Sequence, residues 1–301
     1  MSVSLTYAYY PGCSSTGTSI EYDMSSRAIC AALDITLTDV PNWSCCGSTP
    51  AHTVDHTLSS ALSARNLCQV ASMGLTAAVT PCPSCLSNLK TAQHRMKNDS
   101  FREKVSKLLD KPADITVETK SVLQILVEDY GIEKIKAKVT KPLTGLIVAA
   151  YYGCIMNRPA EIMNFDDREH PMAMDNIMTA LGATVVPFPL KVECCGASFG
   201  IPRKDVVMRL SGKLLDTAKE MGAMALVTAC PLCQMNLDMR QEQINSANGS
   251  KHHMPIFYFT QLMGLAFGLS EKELGIDKLC VNPRSVINAL GMEGDSKEKS
   301  Q

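Results

Sequence analysis

The sequence predicts an α/β chain made of two tandem repeats, each a small, mostly parallel sheet flanked by helices. Three observations predict it. The 301 residues correspond to about two domains at roughly 150 residues each. The chain repeats itself: MGLTAAVTPCPSCLSNL (73–89) and MGAMALVTACPLCQMNL (221–237) match at ten of seventeen positions, offset by 148. Short apolar runs also alternate with segments of helical period, the pattern of a parallel sheet with helices on its faces.

Taken in order, LTYAYY (5–10) reads as a strand that delivers Cys13, and Ser25 to Leu33 as a helix. SCCGS (44–48) follows, then a helix from Leu58 to Met73 and a strand TAAVT (76–80) before Cys82. A helix follows Cys85, then a strand at DITV (114–117) and a helix at SVLQILVEDY (121–130). The second repeat restarts with GLIVAAYY (145–152) before Cys154, then a helix from Met174 to Leu181, ATVVPF (183–188) and ECCGA (193–197). A helix from Val206 to Met221, MALVT (224–228) before Cys230, a helix after Cys233, IFYF (256–259) and a helix at TQLMGLAFGL (260–269) complete it. These boundaries give an N-terminal unit over 1–143, a C-terminal unit over 144–290 and a polar, frayed tail over 291–301.

Composition narrows the function. The net charge is −1, so no basic excess exists to neutralise a polyanion, and nucleic acid is not an expected partner. Hydrophobic residues make up 46%, too many for a disordered chain. The first residues lack a basic segment followed by an apolar run, and no stretch reaches the roughly 18 apolar residues of a spanning helix. The expected location is therefore cytoplasmic, with any membrane association made through partners. Thirteen Cys in a chain of this type point to metal, redox or catalytic use rather than structural disulfides.

Ten of the thirteen are duplicated in the same order: Cys13, Cys45, Cys46, Cys82 and Cys85, then Cys154, Cys194, Cys195, Cys230 and Cys233. Cys30, Cys68 and Cys280 have no counterpart and read as small core residues or incidental thiols. Every motif follows a strand and precedes a helix, so the carboxyl edge of each sheet can gather five thiols at one place. A CxxC pair alone fits zinc, an iron–sulfur centre or a redox dithiol. Adjacent cysteines reach a single small ion only with strain and suit different atoms of a polynuclear centre. Closed zinc sites take four ligands, and each half offers five, which favours iron–sulfur chemistry. Zinc in one half stays open as the alternative. Gly47 and Gly196 would let the backbone turn sharply beside the centre, and Pro81, Pro83 and Pro231 would fix the chain at the CxxC pairs.

The doubled pattern Cys, Cys-Cys-Gly, Cys-x-x-Cys has spacings of 32 and 37 in the first half and 40 and 36 in the second. It resembles the CCG-domain iron–sulfur proteins, and among them the B subunit of heterodisulfide reductase in its bacterial and sulfate-reducer-like type. The resemblance covers about residues 5–270. It implies two halves facing across a pseudo-two-fold axis and two non-cubane [4Fe–4S] clusters, one on each five-cysteine set. A disulfide would be held and split between them by paired one-electron steps, in either direction. It further implies a ferredoxin-like C subunit as electron donor, fed by a flavin-containing A subunit. The chain has no ferredoxin run of cysteines and no GxGxxG after a strand, so no flavin or nucleotide of its own is expected. A second reading also comes from related CCG proteins: an electron-relay subunit of a flavin-dependent lactate, glycolate or unusual succinate dehydrogenase, with no disulfide substrate of its own.

Outside the cysteines, Lys191 is the one catalytic candidate, a cation close in sequence to Cys194. Trp43, two residues before Cys45, is placed either to shield a centre or to pack. His52 and His56, four apart, read as sharing one helix face after the first CCG, where they could bind metal or carry protons or stand as a plain surface pair. Arg203 reads as a surface residue, and Tyr9, Tyr10, Tyr151 and Tyr152 as strand packing.

Overall fold

Runs too short for helices, the central ones rich in Ala, Val, Ile and Tyr and buried along most of their length, form two sheets. The computed structural model describes residues 5–48, 50–113 and 116–291. β1 (Thr6–Tyr9), β2 (Thr36–Asp39), β3 (Ala77–Thr80) and β4 (Glu118–Ser121) lie in the order β2-β1-β3-β4. β5 (Ile147–Tyr151), β6 (Thr184–Val186), β7 (Ala225–Thr228) and β8 (Ile256–Tyr258) lie in the order β6-β5-β7-β8. Every pair is parallel. The central registers repeat as well: Ala8 faces Ala78 and Tyr9 faces Val79, as Ala149 faces Leu226 and Ala150 faces Val227.

Two strands depart from the sequence expectation. β2, a run of TLTD at the sheet edge, is mostly exposed and so carries no apolar signature. β4 begins one residue after the expected DITV, within the polar run ETKS. Its side chains Thr119, Lys120 and Ser121 are buried by their partners rather than by being apolar, and residues 114–115 lie outside those described. Most of the tail expected to fray, 292–301, also lies outside them.

The main helices are α1 (Ile20–Ala32), α2 (His56–Ser72), α3 (Pro83–Met96) and α4 (Val122–Gln124, continued as a π-helix over Ile125–Tyr130), followed by α5 (Ala173–Ala180), α6 (Lys204–Glu220), α7 (Pro231–Leu237) and α8 (Phe259–Phe267). α3 and α7 open alike, with Cys82 or Cys230 as the cap residue and a proline in the first turn, where its missing N–H is no loss. Asp55 caps α2 by accepting from the N–H groups of Thr57 and Leu58 at 2.5 and 3.1 Å. That cap separates His52, on the short helix Pro50–Val54, from His56, so the two histidines do not share a helix face.

The halves interlock reciprocally. α1 of the first packs on α8 of the second, and α5 of the second packs on α4 of the first. Tyr22 stacks on Tyr258 with ring centroids 4.0 Å apart, and Ser25 and Thr260 share a hydrogen bond of 2.7 Å. One apolar core runs through both halves, including Ile29, Val122, Leu126, Ile177, Phe259 and Leu262. Each such side chain contributes about 1.5–3 kcal/mol on burial. No helix among the described residues is long and apolar enough to cross a membrane.

Glu21, on α1 at this seam, is buried with its Cβ against Gly275, and Asp238 and Lys278 are its charged neighbours. Burial pushes its carboxyl from 4.5 up to about 7. The unfolded chain then ionises Glu21 before the folded one does. The stability linked to this group is present below about 4.5 and is lost as pH rises to about 7. Allowing for solvent at the seam, the loss is about 2 kcal/mol. Glu21→Gln is expected to flatten this part of the stability profile in urea titrations at pH 5 and pH 7.5. Parallel profiles for the two proteins would contradict it.

Candidate functional site

In each half the strand ends deliver the five duplicated cysteines to one place. Cys46 and Cys85 have their Sγ atoms 3.5 Å apart, and Cys195 and Cys233 have theirs 3.7 Å apart. Cys45 hydrogen-bonds to Cys46 and Cys82 to Cys85 in the first half, as Cys154 does to Cys194 and Cys230 to Cys233 in the second. Cys13 lies within electrostatic range of Cys45. All ten are free thiols. Burial is also duplicated: the inner three of each half are buried, while Cys13, Cys45, Cys154 and Cys194 reach solvent. The remaining three stand apart. Cys30 is core, Cys68 donates to the Pro112 carbonyl at 3.4 Å, and Cys280 is exposed beside Asp238.

Two glycines not singled out by sequence make room for the sulfurs. Gly12 and Gly153 precede Cys13 and Cys154 with φ of +71° and +74°. A Cβ on Gly12 would lie 2.8 Å from Cys85 Sγ, and one on Gly153 would lie 2.9 Å from Cys233 Sγ. The glycines of the CCG motifs are likewise left-handed, and a Cβ on Gly196 would meet Val207 at 2.9 Å.

The surroundings favour anionic sulfur. Backbone N–H groups point at three sulfurs: Gly47 at Cys45 (3.4 Å), Gly196 at Cys194 (3.3 Å) and Ala197 at Cys195 (3.3 Å). Asn236 Nδ2 adds a donor to Cys195 Sγ at 3.4 Å. Hydrogen bonds from Cys45 and Cys85 lower the Cys46 thiol to about 4, and a hydrogen bond from Cys154 lowers Cys194 to about 6. Cys82 and Cys195 are lowered in the same way by Cys85 and Cys233, whose own protons are held by those bonds and by burial. The downward pull on these thiols comes from neighbouring thiols and backbone N–H groups.

A polar frame holds each CCG turn, and its members recur at the repeat offset. Ser63 and Ser211 donate to the carbonyls of Cys46 (3.0 Å) and Cys195 (2.9 Å). Asn88 donates to the Cys46 carbonyl, and Asn236 to that of Ala197 at 3.2 Å. The hydroxyls of Tyr10 and Tyr151 each donate at 2.8 Å to the carbonyl just before the paired cysteines, those of Ser44 and Glu193. These tyrosines are therefore tethers of the site rather than simple strand packing. Ser63 and Ser211, like Asn88 and Asn236, are identical at the offset of 148, a signal that could have found the frame.

Trp43 packs edge-on against Tyr10 at 5.7 Å, beside the first thiol set. Arg203 is exposed and paired with Asp205. Lys191 is buried, with Nζ 2.5 Å from Asp175 Oδ1 and 3.1 Å from the Pro171 carbonyl. Asp175 also accepts from Tyr152 Oη at 2.7 Å, and the Lys191 carbonyl accepts the N–H groups of Tyr152 and Gly153 at 2.9 and 3.1 Å. Its ammonium is thus committed to a carboxylate, and the residue fastens the turn that carries Cys154.

Among the described residues no three His, Cys, Asp or Glu side chains are arranged to hold one metal ion. The sulfurs approach one another in pairs instead. Five thiols per half, paired approach, N–H donors aimed at sulfur and glycine-sized clearances together fit a thiolate-held polynuclear centre. Between the halves lies a cavity of about 390 Å³. Ser48, Ser84, Ile155, Ala197 and Leu232, which flank or interrupt the cysteine motifs, line it, together with His52.

Comparison with known proteins agrees with this geometry. The model of the cysteine-rich domain CCG matches residues 7–90 and 148–238. The 8-methylmenaquinol:fumarate reductase membrane anchor subunit of Wolinella succinogenes is 36% identical over 274 residues, covering 90% of this chain and 95% of its own. The B subunit of the ferredoxin/F(420)H(2)-dependent CoB-CoM heterodisulfide reductase of Methanosarcina acetivorans is 31% identical over 256 residues, covering 82% and 84%. The crystal structure of a hypothetical protein from Helicobacter pylori superposes with a TM-score of 0.73 at 12% identity, over 92% of this chain. It shares the fold, and the match spans about half (52%) of that protein's length. The family model covers more than half of the chain in two copies, one on each cysteine set, so the chain belongs to the cysteine-rich CCG domain family and is of the kind found in the B subunit of heterodisulfide reductase.

Proposed function

We propose that the chain is the disulfide-handling iron–sulfur subunit of a heterodisulfide reductase-like complex. One observation carries this reading: residues that flank or interrupt the cysteine motifs of both halves, Ser48 and Ser84 from the first and Ile155, Ala197 and Leu232 from the second, line a single cavity. Cys13, Cys45, Cys46, Cys82 and Cys85 would hold one [4Fe–4S] cluster, and Cys154, Cys194, Cys195, Cys230 and Cys233 the other. When bound, the two clusters would supply one-electron chemistry. Reduction of the disulfide takes two electrons and two protons and yields two thiols, and the reverse reaction releases the same particles.

The chain's own residues do the rest. The Ser63/Asn88 and Ser211/Asn236 frames fix the cysteine turns. The N–H groups and Asn236 support negative charge on sulfur. His52, on the cavity wall, is of the side-chain type that carries protons near neutral pH. Electrons would enter through a ferredoxin-like C subunit fed by a flavin-containing A subunit, and any attachment to a membrane would be made by such partners.

The Wolinella relative favours a second reading, an electron-relay subunit that serves a flavin enzyme without a disulfide of its own. Anaerobic iron and acid-labile sulfide analysis, with EPR of the oxidised protein with and without a thiol, separates the two. Two clusters' worth of iron with a thiol-dependent signal is expected. The same iron with no response to thiol would favour the relay, and zinc in place of iron would overturn both.

A further inference from the structure

The cavity between the halves has unlike walls, and the difference falls at equivalent positions of the repeat. Ser84, between the cysteines of the first CxxC pair, corresponds to Leu232 in the second; Ser48, after the first CCG, corresponds to Ala197. The cysteine scaffold is duplicated, while its lining has been made polar on one side and apolar on the other.

The polar wall continues along α3. Ser84, Ser87, Asn88, Thr91 and Arg95 recur at helical spacing and all line the cavity. Arg95 ends the stripe, half-buried, and its guanidinium has no hydrogen-bond or ion-pair partner among the described residues. A guanidinium offers five N–H donors in a fork that matches carboxylate, sulfonate or phosphate oxygens. Leaving one unpaired on a cavity wall is explained by a ligand that completes it.

We propose that Arg95 is a specificity-determining residue that binds an anionic head group on one arm of an asymmetric disulfide, the other arm lying against Ile155, Leu232 and Ala197. This rests on the disulfide reading given above. Position along the helix also sets the length of the anionic arm. Arg95 lies ten residues beyond Cys85, roughly 15 Å of helix axis, and its side chain leans back toward the helix start. The anion is therefore several carbons removed from the sulfur, and the head group, not the disulfide bond, supplies orientation.

The test is calorimetric binding to the oxidised, cluster-bearing protein without reductant, so that nothing turns over. Two probes are compared: the mixed disulfide of mercaptohexanoate and propanethiol, and its mercaptohexanol counterpart. The wild-type protein is expected to bind the acid more tightly than the alcohol. Arg95→Gln is expected to weaken the acid about ten- to a hundredfold and leave the alcohol unchanged. Arg95→Lys, which keeps the charge and loses the fork, should fall between them and guards against a Gln variant that loses its iron. Equal binding of acid and alcohol to the wild type, or equal weakening of both in the variants, would overturn the role of Arg95. Failure of both probes to bind the wild type would overturn the disulfide reading and this inference with it.

Discussion

If each five-cysteine set holds a cluster as proposed, Gly153→Ala is expected to strip the second half of its iron while the first half stays loaded. The added Cβ would sit 2.9 Å from Cys233 Sγ, inside van der Waals contact, and the backbone there has φ of +74°. Left-handed backbone costs a non-glycine residue about 1–2 kcal/mol. Because Cys233 is buried and also approaches Cys195, the sulfur cannot retreat without disturbing a second thiol. Gly222→Ala separates strain from contact: its φ is +76°, yet nothing lies within 4 Å of the new Cβ. That variant should lose a little stability and no iron. Gly12→Ala should mirror Gly153→Ala in the first half, where the Cβ would lie 2.8 Å from Cys85 Sγ. Iron and sulfide content, read with the EPR spectrum of the surviving centre, checks all three. Full iron in Gly153→Ala would show that the turn before Cys154 is looser than the geometry states.

Lys191→Ala is expected to destabilise the fold by about 3–5 kcal/mol, because it leaves Asp175 charged, buried and without its cation. Lys191→Met combined with Asp175→Asn should recover most of that loss, since the amide still accepts from Tyr152 and no bare charge remains. Urea midpoints measure both. The Met174 and Asp175 N–H groups donate to Tyr152 Oη at 2.7 and 3.2 Å, so the damage should reach the Cys154 turn as well as the global midpoint. A near-neutral single variant would return Lys191 to the role of a cation available to an anionic ligand.

The parts legible in the sequence are those the duplication writes twice. The ten cysteines, their order and the strands before them could be read because β1, β3, β5 and β7 are buried, apolar and directly precede a motif. β2 could not be read, because an edge strand exposed on most of its residues needs no apolar run. β4 was displaced because Thr119, Lys120 and Ser121 are buried through partners: Lys120 Nζ meets Asp129 at 2.7 Å and Thr119 donates to Gln93 at 3.1 Å. The pairing of His52 with His56 failed on one side chain, Asp55, whose cap starts a new helix between them. Lys191 was out of reach for another reason. Its partners Asp175 and Tyr152 sit 16 and 39 residues away and meet it only when the second half closes. The tyrosine tethers Tyr10 and Tyr151 were visible as a repeated pair, but a hydroxyl's target is a matter of folded geometry.

The exchange of helices between the halves bears on how such a protein can change over time. α1 and α5 bury their apolar faces on helices of the opposite half, so neither copy is complete alone, and unfolding should engage the whole chain in one cooperative step. A fused core of this kind holds the two thiol sets at a fixed separation while the residues between them drift. Divergence could then accumulate at Ser84 against Leu232 and at Ser48 against Ala197 without disturbing the frame. A symmetric ancestor would in this way acquire a front and a back for its ligand, with the change confined to a few lining side chains.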